Sequence, residues 1–338
     1  MGKTFIIAEI GQAHDGSLGI LHSYIDAIGQ TGVDAIKFQT HIAEAESSRL
    51  EPFRVKFSYE DESRFDYWKR MSFDTEVWVE IKGHCEDVGL EFMSSPFSIA
   101  AVDLLEQLGM KRYKIGSGEV NNHLLLKRIV QTGKPVILSS GMSSFEELDE
   151  SVDFIKKFDI IPSLLQCTTS YPTPPEQVGL NVIQELKKRY PESLVGLSDH
   201  SGSIYPSLAA ASLGAEIIEC HVTFDRRMFG PDSTSSITID ELTELVKGIR
   251  MIETMLNNPV HKNDTQQYKQ LKVVFGKSLA VNKNLSEGHI IQEIDLETKK
   301  PASEGILAAD FSKVVGSQLK VSKSKYDFLK YGDLIINA

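Results

Sequence analysis

The sequence predicts an α/β protein in which a (β/α)₈ TIM barrel is followed by a small, mostly β module. Eight short runs rich in β-forming residues alternate with eight longer amphipathic runs over residues 1–256. Several short runs, such as FIIAEI and VILSS, are continuously apolar, which is typical of parallel strands covered on both faces. Barrels of this kind usually take ~250 residues, so both the eight repeats and the length of this region fit a barrel.

Gly or Pro marks most of the joints between the predicted elements. The predicted strands are Thr4–Ile10, Ala35–Gln39, Glu91–Ser94, Arg112–Ile115, Pro135–Ser139, Ile161–Gln166, Leu194–Leu197 and Ile217–His221. The predicted helices are Leu18–Gln30, Thr75–Val88, Ile99–Leu108, Asn122–Gln131, Ser144–Phe158, Val178–Lys188, Pro206–Leu213 and Ile239–Leu256. An open, doubly wound sheet is the alternative, but it should show a GxGxxG turn after its first strand. The sequence there is EIGQAHDG, which does not fit.

The pattern changes after the last predicted helix. Residues 257–270 are mostly polar, contain Pro and lack an apolar period, which predicts a linker. From Lys272 the chain is β-like, with short strands separated by turn residues. We therefore predict a barrel domain over residues 1–256 and a second domain over residues 271–338. The second is small for an independent core.

Composition and charge exclude some classes of partner. Lys and Arg number 36 and Asp and Glu 47, and the net charge of −11 argues against a nucleic-acid backbone. No apolar run approaches the ~20 residues of a membrane span, and the first residues lack the apolar core of a signal peptide. The three cysteines match neither a disulfide framework nor a metal-ligand spacing. These features predict a cytoplasmic protein without a membrane partner.

Nearly every polar residue of the predicted strands lies at the carboxyl end, where barrels of this class form their active sites. Lys114, the backbone of residues 115–118, and the hydroxyls of Ser117, Ser139 and Ser198 predict a phosphate site there. Glycines permit close backbone approach, and the lysine supplies charge. A Gly-Ser-Gly sequence alone is usually a turn, so the prediction depends on the coincidence of these residues at one rim.

Two histidines and three ionisable groups complete the predicted rim. His200 and His221 come from adjacent strands, where two imidazoles can converge on one divalent ion such as Mn²⁺, Mg²⁺, Zn²⁺ or Co²⁺. Glu9, Lys37 and Glu119 are candidates for proton transfer.

The same side chains could also have purely structural roles. Lys37 could instead close an ion pair in the core, and either histidine alone is more often a hydrogen-bonding residue than a metal ligand. Glu219 or Asp232 could pair with Arg226 or Arg227.

Eight motifs accompany these residues along the chain. They are EIGQAHDGS from residue 9, IKFQTH from 36, SSPFS from 94, YKIGSGE from 113, GKPVILSSGM from 133, YPTP from 171, GLSDHS from 196 and FGPD from 229. Together they resemble the N-acetylneuraminate (sialic acid) synthase family, which includes legionaminic and pseudaminic acid synthases. The resemblance covers essentially the whole chain, and the last part is similar to the family's antifreeze-like (SAF) β-clip domain.

The resemblance implies a metal-dependent transferase that condenses phosphoenolpyruvate (PEP) with an N-acylated amino sugar. The sugar would be N-acetylmannosamine, its 6-phosphate or a 2,4-diacetamido-dideoxy sugar, and the products a nonulosonic (sialic) acid and phosphate. The implied catalytic residues are Glu9, Lys37 and Glu119, and the implied ligands of Mn²⁺ or Mg²⁺ are His200 and His221. The implied PEP-binding residues are Lys114, Ser117, Ser139, Thr169 and Ser198. The implied sugar-binding residues are Gln39, Tyr171, Asp232 and Lys300.

Three positions depart from the family's pattern. Thr169 stands where the family has a phosphate-contacting asparagine, Lys300 where it has an arginine before proline, and Ala13 where it has an asparagine before the histidine. Threonine lacks the amide donor, and lysine lacks the planar fork of arginine. These changes bear on the substrate more than on the reaction.

The resemblance also implies a domain-swapped homodimer, in which the antifreeze-like domain of one subunit caps the barrel of the other. Two rival functions stay open. A Schiff-base aldolase would use Lys37 or Lys114 as its nucleophile, but it leaves the histidine pair without a role. A non-catalytic sugar-binding protein would not need Glu119, His200 and His221 together.

Overall fold

The computed structural model describes residues 2–55 and 59–335 and contains the predicted barrel. The barrel strands are β1 (Phe5–Gly11), β2 (Ala35–Thr40), β3 (Glu91–Pro96), β4 (Tyr113–Ile115), β5 (Val136–Ser139), β6 (Ser163–Cys167), β7 (Val195–Asp199) and β8 (Ile217–Thr223). They pair in parallel in the order β3-β2-β1-β8-β7-β6-β5-β4, and β3 and β4 at the ends of this order also contact each other. The result is a nearly closed barrel, which confirms the predicted fold class.

Helices follow the strands and pack their apolar faces onto the barrel. The helices are α1 (Leu18–Gly29), α2 (Ala43–Glu46), α3 (Arg64–Met71), α4 (Thr75–Asp87), α5 (Ile99–Gln107), α6 (His123–Val130), α7 (Phe145–Lys156), α8 (Leu180–Arg189), α9 (Tyr205–Ser212) and α10 (Ile239–Asn257). All eight predicted helices are present. Across the described part of the chain, none is long and apolar enough to cross a membrane.

The segment between β2 and α4 holds two helices beyond the eight-fold pattern. Ser63 begins α3 by accepting a hydrogen bond from the backbone N–H of Asp66. Tyr67 and Trp68 on α3 are buried together with Ala43 of α2 in a small separate cluster. These aromatic residues anchor the segment beside the carboxyl ends of the strands.

Alternate residues of the barrel strands point inward, so the interior is built in layers. The apolar layer consists of Ile7, Ala35, Met93, Ile137, Leu165 and Ile217. Two residues further along the same six strands, a second layer consists of Glu9, Lys37, Ser95, Ser139, Cys167 and Glu219. The apolar layer fills the barrel, and the second layer becomes the floor of a cavity above it.

Contacts between Cα atoms divide the chain into two compact units, Met1–Asn258 and Pro259–Ala338. The second unit has its own apolar core, which includes Leu279, Val281, Leu319 and Leu329. Its elements are α11 (Lys269–Phe275), β10 (Ser278–Val281), β11 (Leu296–Lys299), β12 (Gln318–Leu319) and β13 (Leu334–Ile335), while β9 (Ile237–Thr238) pairs with β8 in the first unit. The strands of the second unit form two small antiparallel sheets, β10-β11 and β12-β13.

The prediction that the chain is β-like from Lys272 was wrong for the first residues. Lys269–Phe275 is helical, and the first strand of the second unit begins at Ser278. A short apolar run such as VVF does not distinguish a helix from a strand by its period. The N–H of Gly276 donates to the carbonyl of Lys272 and closes the last helical turn.

Candidate active site

The carboxyl ends of the barrel strands surround a cavity of about 380 Å³. Every site residue predicted in the barrel lines it: Glu9, Lys37, Gln39, Lys114, Ser117, Glu119, Ser139, Thr169, Tyr171, Ser198, His200, His221 and Asp232. Lys300, the remaining predicted site residue, belongs to the second unit, where its ammonium lies 5.2 Å from the ring centre of Phe275.

Lys37 lies between two carboxylates on the floor of the cavity. Its Nζ is 2.7 Å from Glu9 Oε1, 3.7 Å from Glu219 Oε2 and 3.3 Å from Ser95 Oγ. Gln39 donates to the same Glu9 oxygen at 2.7 Å. The core ion pair considered for Lys37 is therefore present, and it lies in the wall of the cavity.

Burial and charge act in opposite directions on this pair. Burial alone would raise the pKa of Glu9, but Lys37, together with His221 and Lys114, holds that pKa well below its usual range. Burial would likewise lower the pKa of Lys37, but the carboxylates of Glu219 and Glu9 raise it above its usual value. Both groups are therefore charged at neutral pH.

A second lysine approaches Glu219 from the other side. Lys114 Nζ donates to Ser139 Oγ at 2.7 Å and lies 3.3 Å from Glu219 Oε1. Ser198 donates to the same Glu219 oxygen at 3.0 Å. Glu219 thus joins the two lysines, while its Oε2 has no hydrogen-bond partner among the described residues.

Ser117 and Thr169 line the cavity together with Lys114, as the predicted phosphate site requires. Residues Ser117–Glu119 form a short 3₁₀ turn after β4, and Ser117 Oγ donates to Cys167 Sγ at 3.4 Å. Gly141 lies between the two side chains, and a Cβ there would clash with the hydroxyls of both. The small residue therefore lets Ser117 and Thr169 approach each other.

Glu119 ends the 3₁₀ turn at the cavity wall. Its Oε2 accepts a hydrogen bond from Asn122 at 2.7 Å, which orients the carboxylate. Partial burial raises the pKa of Glu119, although the Asn122 hydrogen bond opposes the shift. A carboxylate with a raised pKa is suited to accept a proton near neutral pH.

His200 and His221 lie side by side, with ring centres 5.1 Å apart. The Nδ1 of His200 donates to the carbonyl of Thr168 at 3.0 Å, which leaves its Nε2 toward Tyr171. The Nε2 of His221 lies 3.5 Å from Glu9 Oε2. Burial lowers the pKa of His221 despite the nearby Glu9, so this imidazole is neutral.

The donor set fits a divalent ion that takes further ligands from water or substrate. No group of three or more His, Cys, Asp and Glu is arranged to hold a metal within residues 2–55 and 59–335. Two imidazoles and the nearby Glu9 carboxylate are nevertheless suitable donors for such an ion. Burial opposes the charged form of His200, but Cys167 and Thr168 raise its pKa to about 9. A metal at His200 must therefore displace a proton.

Tyr171 and Asp232 form part of the upper wall with an arginine that the sequence did not indicate. Arg54 Nη2 donates to Asp232 Oδ1 at 2.5 Å and to the carbonyl of Pro231 at 3.2 Å. Its guanidinium lies 4.1 Å from the ring centre of Tyr171. The proposed pairing of Glu219 or Asp232 with Arg226 or Arg227 was wrong, because those arginines pair with Glu241 and Asp225.

Further residues line the cavity that the sequence-based prediction missed. His41 is stacked between Trp68 and Phe97, with ring centres 3.7 and 4.5 Å away. Its Nε2 lies 3.2 Å from Gln39 Oε1. Others include Gln12, Glu46, Glu51, Arg64 and Met142. The motifs contain four of these residues, which was a usable signal: Gln12, His41, Phe97 and Met142. No such signal marked Arg54 and Arg64, which lie in the nonperiodic segment after β2.

Comparison with protein families gives a match to the NeuB family over residues 24–261. The N,N'-diacetyllegionaminic acid synthase of Campylobacter jejuni is 36% identical, over 96% of this chain and 98% of its own. Human N-acetylneuraminate-9-phosphate synthase is 32% identical, over 96% of this chain and 90% of its own.

Solved structures agree with the sequence comparisons. The N-acetylneuraminic acid (sialic acid) synthetase of Leptospira borgpetersenii, crystallised with citrate, gives a TM-score of 0.71 at 31% identity. The match covers 80% of this chain and 92% of that one. The resemblance found in the motifs is therefore confirmed, and the chain belongs to the NeuB family.

Proposed function

We propose that this protein is a condensing synthase that joins PEP to an N-acylated amino-hexose, forms a nonulosonic acid and releases phosphate. The observation that carries the proposal is the buried array of Glu9, Lys37, Glu219 and Lys114 beneath two imidazoles. The names of the relatives, which are sialic, legionaminic and pseudaminic acid synthases, support it.

The array suits one anionic substrate and one polar, uncharged one. PEP carries a carboxylate and a phosphate, which need ammonium groups and hydroxyl donors. We assign its binding to Lys114, Ser117, Ser139, Thr169 and Ser198, which lie on one side of the cavity. The acceptor sugar would then lie toward Gln39, Tyr171 and Asp232.

The reaction then has three balanced steps. C3 of PEP attacks the aldehyde carbon of the open-chain sugar, and the aldehyde oxygen takes a proton on the Lys37 side. Water adds to the resulting cationic C2, and Glu119 accepts the proton that the water loses. Cleavage of the bond between C2 and the phosphate oxygen releases phosphate, the C2 hydroxyl gives its proton to the departing phosphate, and a ketone is left at C2. Holding both substrates over one floor lowers the entropic barrier to the first step.

We assign the divalent ion, Mn²⁺ or Mg²⁺, to His200 and His221. Such an ion, when bound, supplies Lewis acidity toward a carbonyl oxygen. Glu9 is fixed by Lys37 and Gln39, so its Oε2 stays directed toward His221.

The geometry disfavours a Schiff-base aldolase on the same floor. A lysine nucleophile must lose its proton before it attacks a carbonyl. Lys37 lies between the carboxylates of Glu9 and Glu219, which raise its pKa and keep it charged, and Lys114 Nζ lies 3.3 Å from Glu219 Oε1. Borohydride trapping of the protein with pyruvate is therefore expected to give no adduct.

Phosphate release from PEP tests the proposal. We expect release with Mn²⁺ present and with one of three acceptors, N-acetylmannosamine, its 6-phosphate or a 2,4-diacetamido-dideoxy sugar. Release should stop with EDTA and in His221→Ala, because both remove the predicted ion. Turnover that resists EDTA would contradict the metal assignment, and binding of PEP and sugar without turnover would favour the binding-protein alternative.

We also propose a cytoplasmic, domain-swapped homodimer in which Lys300 of one subunit reaches the sugar in the other. The proposal is supported by the family resemblance, which implies that the antifreeze-like domain of one subunit caps the barrel of the other. Lys300→Ala and His221→Ala should each be inactive alone. A mixture refolded together should regain activity, because each mixed dimer holds one site with an intact barrel and an intact Lys300. Inactivity of the mixed dimer would contradict the swap.

A further inference from the structure

Arg64 lines the cavity with hydrogen-bonding capacity that the described protein does not use. Its side chain is only 13% exposed, and its buried Nε and Nη1 have no hydrogen-bond partner within residues 2–55 and 59–335. Glu51 Oε1 lies 3.6 Å from Nε, beyond hydrogen-bonding length. Buried polar groups in native structures are almost always paired, and an unpaired one is costly. A bound group is therefore expected to accept from Arg64.

A guanidinium only donates, so the missing partner of Arg64 must be an acceptor, and the nearby carboxylates already accept from other groups. Glu51 Oε2 accepts from the indole N–H of Trp68 at 3.0 Å and also from Ser47. Glu46 accepts from His41 at 2.6 Å and from the backbone of Ile42 at 3.3 Å. A ligand group here therefore meets two Arg64 donors without hydrogen-bond partners among the described residues.

The formal charge at this end of the cavity is negative. We call the residues Glu46, Glu51, Arg54, Arg64, Trp68 and Asp232 the outer end. Its two arginines face three carboxylates, so the formal charge of these described residues is 2 − 3 = −1. Arg54 is also paired directly with Asp232. A phosphate monoester, with about −1.5 to −2 charges at pH 7, finds no excess positive charge here.

The outer end is also partly apolar. Trp68 lines it and lies under the guanidinium of Arg64, whose Cζ is 4.3 Å from the indole ring centre. Phe97 and the exposed Met142 line the same cavity. An acylamino group, which has one carbonyl acceptor and a small alkyl part, matches an unpaired donor beside an apolar wall.

We propose that Arg64 binds the carbonyl of an acylamino group of the acceptor sugar, and that the acceptor is unphosphorylated. This inference rests on the proposed condensation, because it places the acceptor sugar in this cavity. Arg64 connects to the floor through Trp68, His41 and Gln39, and Gln39 donates to Glu9. Arg64 is thus several side chains from the proposed reacting atoms, and we assign it to substrate selection.

Steady-state kinetics on the full-length protein with PEP and Mn²⁺ test the inference. N-Acetylmannosamine and a 2,4-diacetamido-dideoxy sugar are compared with N-acetylmannosamine 6-phosphate and with mannosamine, which has no acyl group. We expect kcat/KM for the better uncharged N-acyl sugar to exceed that for the 6-phosphate by at least about tenfold. Mannosamine should be poor with the unmodified protein.

Arg64→Ala should lower kcat/KM for the preferred N-acyl sugar by ~10–100-fold, the range for a lost charged hydrogen bond. The KM for PEP should not change, which shows that the barrel is intact. Arg64→Lys should recover part of the loss, because it keeps a donor. Arg49→Ala is the matched control, since Arg49 lies in the same segment with its side chain 74% exposed.

Three outcomes would overturn the inference. A preference for the 6-phosphate would contradict the charge argument alone and leave the proposed function standing. If Arg64→Ala and the control Arg49→Ala have the same kcat/KM for the sugar, Arg64 does not bind the acylamino group. Phosphate release with none of the sugars would contradict the proposed function, and this inference with it.

Discussion

Replacing Lys37 with methionine is expected to reduce phosphate release by at least ~10²-fold, the low end for loss of a general acid, and to destabilise the fold. Lys37 is 2% exposed and is held between Glu9 and Glu219. Without its ammonium, Glu219 keeps Lys114, but Glu9 keeps only its contacts with Gln39 and His221. Leaving a buried charge without its partner costs about 3–5 kcal/mol. Denaturant unfolding and phosphate release measure the two losses separately.

A double variant separates stability from chemistry. Lys37→Met combined with Glu9→Gln removes the unpaired carboxylate, so it should recover part of the unfolding free energy. It should not recover activity, because no ammonium then lies beside the aldehyde oxygen. Near-normal turnover in Lys37→Met alone would contradict the role given to this lysine.

Glu119→Gln is expected to lower kcat by ~10²–10⁴-fold, the usual range for a lost general base, with little change in stability. Glutamine has the same size and can still accept from Asn122, so the turn after β4 should keep its shape. The KM for PEP should stay near its normal value, since Glu119 is not among the residues assigned to the phosphate. Glu185→Gln, on the exposed face of α8, is the isosteric control.

The pH profile of kcat/KM for the sugar, which reports groups of the free enzyme, gives a second measure of Glu119. Partial burial raises its pKa, so the basic form is populated only as the pH rises through that raised value. The rate should therefore fall on the acid side at a higher pH than for an ordinary glutamate, and this limb should be absent in Glu119→Gln. An unchanged acid limb in the variant would assign the titration to another group.

The barrel and its cavity floor could be predicted because short β-rich runs alternate with helical runs, and because polar residues gather at one end of the predicted strands. In the structure Glu9, Lys37 and Ser139 lie two residues beyond the buried Ile7, Ala35 and Ile137, at the polar ends of their strands. Parallel strands in a barrel bring such positions together without further information. The cavity-lining positions of the predicted barrel residues could therefore be read from the chain.

The outer end could not be predicted in the same way. Arg54 and Arg64 lie between β2 and α4, where no apolar period orders the chain. Arg54 meets Asp232 across 178 positions of sequence, so local pattern favoured the nearer Arg226 and Arg227 as partners. The helix at Lys269–Phe275 was missed because seven residues with a short apolar run fit a strand as well as a helix.

Oxygen labelling of PEP tests the proposed condensation most directly. PEP with ¹⁸O at the oxygen that bridges C2 and phosphorus is incubated with Mn²⁺, the protein and the preferred sugar, and both products are examined by mass spectrometry. Cleavage of the C2–O bond predicts that the label appears in inorganic phosphate, together with an unlabelled nonulosonic acid. Label retained in the organic product would show P–O cleavage and contradict the attack of water at C2 assigned to Glu119.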